Sequence, residues 1–141
     1  MRCYKVSEKG NVRWGWIKGM YLYTIVMAGG FGLGILLIPS RIQSLFGIPS
    51  QDPIVFGILG SVYMAFALLS LLGLRAPLKF APILLLQLSY KVIWFMGTMV
   101  PMLISGRFPS YAILYVMVFA SFIIGDLIAI PFSYIFKTNV R

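Results

Sequence analysis

The chain has 141 residues, 60% hydrophobic and only 11% charged. A soluble globular chain carries about 25% charged residues, so an ordinary soluble domain is excluded. The lack of His and the single Cys, Cys3, exclude His-ligated metal, His-based triads, an internal disulfide and multi-Cys metal sites within this chain.

A membrane-crossing helix needs about 20 mostly apolar residues to span the hydrocarbon layer. The sequence contains four such stretches. The basic segment 1–18 precedes the first of them, Gly19–Ile38, which has no charge. Its length exceeds the h-region of a signal peptide, so it reads as a retained span. Trp14, Trp16, Tyr21 and Tyr23 mark a membrane interface, where amphipathic rings prefer the headgroup level. Gly30 and Gly34 form a GxxxG pair, expected to admit a neighbouring helix closely.

Segment 39–53 holds a short interfacial helix around Ser40–Phe46, with Ile42, Leu45 and Phe46 facing lipid. Gly47 and Pro49 end it. The second span, Ile54–Leu74, places Gly57, Ser61 and Ala65 at four-residue spacing, a small-residue face matched to the glycines of the first span. The loop Arg75–Lys79 is tight, so the second and third spans should be antiparallel neighbours. The third span, Phe80–Ile104, is interrupted by Lys91. The fourth, Pro109–Phe136, is interrupted by Asp126, and the tail 137–141 follows. The predicted architecture is all-α: an antiparallel four-helix transmembrane bundle over residues 19–136.

Orientation follows from the basic residues. Arg2, Lys5, Lys9, Arg13, Lys18, Arg75, Lys79, Lys137 and Arg141 fall on one side of four crossings. The other side has only Arg41 and Arg107. Basic loops are retained in the cytoplasm, so both termini should be cytoplasmic, in an inner membrane. The formal charge of +9 then reads as contact with anionic lipid rather than with nucleic acid.

Lys91 and Asp126 are the only charges inside the spans. A charge at mid-bilayer costs at least about 2.5–3.5 kcal/mol, and pairing is the obvious relief. Counted from the same membrane face at 1.5 Å per residue, the two lie at nearly equal depth on neighbouring antiparallel helices. Gln87, Lys91, Trp94 and Thr98 recur on one face of a regular helix. Tyr115, Phe119, Phe122, Asp126 and Ser133 form an aromatic and polar face on the fourth span, and Tyr63 lies near mid-depth on the second. Together they outline an aromatic cavity around a Lys–Asp pair. Such a cavity suits a small molecule, with lipid or quinone as the candidate ligands and no metal. The competing reading is that the pair only locks two helices in register.

Some of these features carry a resemblance. They are Pro39 closing the first span, the Phe46-Gly47-Ile48-Pro49 turn, Gly60, the basic Arg75–Lys79 loop followed by Pro82, Lys91, and Asp126-Leu127-Ile128 before Pro131. Over about 100 residues the chain resembles small bacterial four-helix membrane proteins, loosely similar to the DoxX-like group. Gly57 stands near the place where that group often has Arg, and Ala129 where it often has Trp. The resemblance implies a four-helix membrane bundle, and an association with membrane redox or sulfur metabolism in some members.

Three functions compete. The leading one is a non-enzymatic membrane protein, either an accessory subunit of a larger complex or a binder of a lipid-like ligand. The absence of His, of a cysteine in the spans and of a second intramembrane carboxylate favours it. A proton-coupled transporter is the second, with one small chain requiring a homo-oligomer. Similarity between Ile58–Ala67 and Ile113–Ala120 hints at repeated hairpins of the kind transporters use. An enzyme with Asp126 as acid or base comes last.

Overall fold

A computed structural model describes residues 12–137. Cys3 and the basic residues Arg2, Lys5, Lys9 and Arg141 lie outside the described residues. Four helices are long and apolar enough to cross a membrane: α1 (Trp14–Leu37), α3 (Pro53–Arg75), α4 (Ala81–Ile104) and α5 (Ala112–Ala129). Two short helices complete the set, α2 (Pro39–Leu45) and α6 (Phe132–Phe136). No strand occurs among the described residues.

Local chemistry explains the boundaries. The backbone at Ile38 leaves the helical region and Pro39 opens α2 at its first turn. Gly47 takes a φ of +64° just after α2, a conformation that glycine adopts at little cost. Asp52 caps α3, its Oδ1 accepting from the N–H groups of Ile54 and Val55, both at 3.0 Å, with Pro53 at the first helical position. Gly106, at φ +66°, follows the end of α4. The fourth apolar stretch was expected to run unbroken to Phe136. It stops at Ala129, because Ile130 is extended ahead of Pro131, as the residue before a proline prefers.

Many large apolar side chains are exposed, while a few polar and charged ones are buried with the hydrophobic core. Ile104, Ile54 and Ile93 are exposed at 82%, 74% and 69%. Asp126, Lys91 and Gln87 are exposed at 0–1%. Exposed apolar surface on this scale fits helices long and apolar enough to cross a membrane.

α1 packs against α3 along its whole length. The closest approach is not made by the expected residues Gly30, Gly34, Gly57 and Ser61. A Cβ on Gly32 would lie 2.9 Å from the Gly60 carbonyl oxygen and 2.9 Å from the Met64 nitrogen, so Gly32 carries the contact. Gly60 in turn accommodates Ile35, and Gly29 faces Ala67. Gly30 and Gly57 meet nothing within 4 Å, and Gly34 admits Ile42 of α2 instead of a long helix. Ser61 is exposed and donates to the Gly57 carbonyl of its own helix. A π-helical turn at Ile25–Gly29 lies just before these glycines. One extra residue per turn rotates everything beyond it by about 100°, which moves the glycine face away from the register of a regular helix.

Tyr21, expected at an interface, is fully buried. Its ring occupies the space left by Gly73, and its hydroxyl donates to the Pro77 carbonyl at 2.8 Å. This ties α1 to the turn between α3 and α4.

Gly32→Ala is expected to lower stability in mild detergent by about 1–3 kcal/mol, because backbone atoms block its methyl. Gly57→Ala, facing open space, should be neutral or slightly stabilising. Thermal unfolding of the two variants checks the contrast.

Candidate functional site

One amide connects three helices. Gln87 on α4 is buried, and its Nε2 donates to Thr24 Oγ1 on α1 at 3.1 Å and to Asp126 Oδ2 on α5 at 3.3 Å. Thr24 donates its own hydroxyl hydrogen to the Met20 carbonyl at 2.8 Å. An amide nitrogen has two hydrogens, so both of Gln87's are used. Asp126 Oδ1 has no hydrogen-bond partner among the described residues.

The expected Lys91–Asp126 ion pair is not formed: no salt bridge within 4.0 Å joins them. Lys91 is instead enclosed by rings. Its Nζ stands 4.2 Å from the centre of Phe122, 4.4 Å from Tyr90 and 5.4 Å from Phe119. Aromatic faces attract a cation through their quadrupole, so the rings are the close neighbours of the ammonium and Asp126 acts on it only from beyond 4.0 Å. Depth alone suggested pairing, but depth does not fix direction around a helix axis. Gln87, one turn before Lys91, reaches Asp126 first.

Lys91 borders a cavity of about 360 Å³. α1 contributes Val26, Met27, Ala28, Gly30 and Phe31, and α5 contributes Leu114, Tyr115, Val118, Phe119 and Phe122. Ile42, Leu45 and Phe46 close one end, and Tyr63 and Tyr90 complete the wall. α5 packs closely on the N-terminal part of α1, Trp14–Thr24, and of α4, Ala81–Trp94. Towards the other end of α1 its aromatic side chains bridge the gap, with Phe31 and Tyr115 centroids 6.2 Å apart. The π-helical turn of α1 supplies part of this wall through Val26, Met27 and Ala28. Such turns often occur at functional sites.

The residues predicted for the site divide into three groups. Lys91, Tyr63 and Tyr115 line the cavity. Gln87 and Asp126 form the hydrogen-bonded network and do not line it. Trp94 packs against Phe119 at 4.8 Å, outside the lining, while Thr98 and Ser133 are exposed and take no part. A second π-helical turn at Phe95–Met99 rotates Thr98 off the face of Gln87 and Lys91. Ser133 lies beyond the break at Pro131, on α6. Thr24, Phe31, Phe46 and Tyr90 belong to the arrangement without having been expected. Thr24 was the findable one, since it is a polar residue well inside the first apolar stretch.

Comparison with known protein families, with curated proteins and with solved structures finds no match. Nor does any group of three or more His, Cys, Asp or Glu among the described residues form a metal site.

Gln87→Leu is expected to cost about 1–3 kcal/mol, because it leaves the Asp126 carboxyl buried without a donor. Adding Asp126→Leu should return part of that loss. A coupling of at least about 1 kcal/mol in a double-mutant cycle would establish the contact, and additive losses would argue against it.

Proposed function

We propose that this is a multi-pass protein of the cytoplasmic membrane that binds a lipid-like small molecule without transforming it. The observation that carries the reading is the aromatic cavity with Lys91 at its wall. Its volume falls within the range of small-molecule sites, and its few polar groups suit orientation rather than catalysis. Val26, Gly30, Leu45 and Leu114 are exposed at its margin, so a ligand has access from the surrounding hydrocarbon. The bundle is read as antiparallel with both termini in the cytoplasm, on the distribution of Lys and Arg. The DoxX-like resemblance is compatible with this architecture and with a quinone as one ligand.

A second reading is an accessory subunit in a larger complex or a homo-oligomer. It draws on Gly57 and Ser61, which lie on α3 with open space beside the glycine and so leave room for a partner helix. Proton-coupled transport is the third, resting on two buried ionisable side chains.

Native mass spectrometry after mild-detergent purification should show a bound lipid-like molecule that is lost in Ala28→Phe, a cavity-filling change. Wild-type protein repeatedly free of any such molecule would count against ligand binding. Topology is checked at Cys3. A membrane-impermeant maleimide should label it only after cells are permeabilised, and labelling in intact cells would reverse the orientation.

A further inference from the structure

The cavity also specifies the head group of its ligand, an inference that rests on the ligand-binding reading above. Lys91 is 1% exposed and carries three N–H donors. Among the described residues it has no hydrogen-bonded acceptor and no carboxylate within 4.0 Å. Three ring faces hold the charge but accept no conventional hydrogen bond. Asp126, the nearest candidate counter-ion, is engaged by Gln87 and does not border the cavity. Among the described residues, the ammonium is thus the only formally charged side chain at the cavity wall.

We infer that the cavity takes a single-chain amphiphile with a carboxylate head, the head on Lys91 and the chain leaving between Val26 and Gly30 of α1 and Leu114 of α5. Charge selects the head. A hydrogen bond between two ionised groups is about twice as strong as a neutral one, and a water-poor site strengthens it. The presence of a single cation favours a small monoanion. A phosphate head is usually gripped by several donors, such as an Arg cluster or free backbone N–H groups. Here one cation is present, and the lining residues sit almost entirely within helices whose amides are already bonded. Size selects the tail. The cavity is near the lower end of the small-molecule range, which suits one chain rather than a two-chain lipid. The surrounding rings, Phe31, Tyr63, Tyr115 and Phe119 among them, give that chain an apolar wall.

The test is competition against tritiated stearate on the full-length protein in mild detergent. Unlabelled stearate should compete at least about tenfold more strongly than stearyl alcohol or methyl stearate, which share its chain but carry no charge. Lys91→Met should abolish that preference, and Lys91→Arg should retain much of it. Equal potency of acid, alcohol and ester would overturn the carboxylate assignment while leaving the cavity a ligand site. A two-chain phosphatidate competing as well as stearate would overturn the single-chain assignment. No saturable stearate binding, with a different molecule still co-purifying, would overturn the inference alone. No binding of any of them and no co-purifying molecule would remove the ligand-binding reading as well. Should Lys91→Met fail to fold, the rank order on the wild-type protein decides the matter.

Discussion

The two hydrogen bonds donated by the Gln87 amide are the interaction on which the interior depends. They draw Thr24 of α1 and Asp126 of α5 to α4 at one place. A carboxyl group is too costly to bury without a donor, so Gln87 determines that Asp126 can sit inside at all. It also determines what happens to Lys91. With Asp126 engaged, the ammonium lies among Tyr90, Phe119 and Phe122, at the edge of open space. A direct Lys–Asp pair would have locked two helices and left nothing for a ligand. In the observed arrangement an amide network joins the helices, and Lys91 borders the cavity.

The same packing explains why there is a cavity. α1 and α3 lie close because Gly32 and Gly60 remove the side chains that would hold them apart. α5 is close to α1 over Trp14–Thr24, where Tyr23 and Phe122 rings stand 4.4 Å apart, and reaches it farther along through larger aromatic side chains. Rings bridge a gap without filling it. α2 and the residue that follows it then bring Ile42, Leu45 and Phe46 over one end, with Ile42 seated against Gly34. The glycines thus serve two different ends, one a helix-to-helix contact and the other a seat for a short surface helix.

An ammonium surrounded by ring faces, with no carboxylate within 4.0 Å, combines low exposure with unused hydrogen-bonding capacity. In water that capacity would be satisfied by solvent. In an apolar cavity only a ligand or a trapped water can satisfy it, which is the physical basis of the ligand-binding proposal. Three tyrosines on the same wall, Tyr63, Tyr90 and Tyr115, add polar edges to an otherwise apolar surface.

The sequence by itself determined that four helices are long and apolar enough to cross a membrane, because span length and apolar composition answer to the thickness of a hydrocarbon layer and need no knowledge of neighbours. It also singled out Lys91, Gln87 and Asp126, since polar residues are rare in such stretches and therefore conspicuous. Partners were decided only in the tertiary structure. Two π-helical turns, at Ile25–Gly29 and Phe95–Met99, broke the regular periodicity from which faces are read. The second turned Thr98 outward, and the close packing contact falls on Gly32 just beyond the first. Hydrophobic patterning does not encode such a turn, because an extra residue leaves composition unchanged while rotating all that follows. For the same reason depth along the helices suggested a Lys91–Asp126 pair, whereas rotation about their axes assigned Asp126 to Gln87 and Lys91 to the rings.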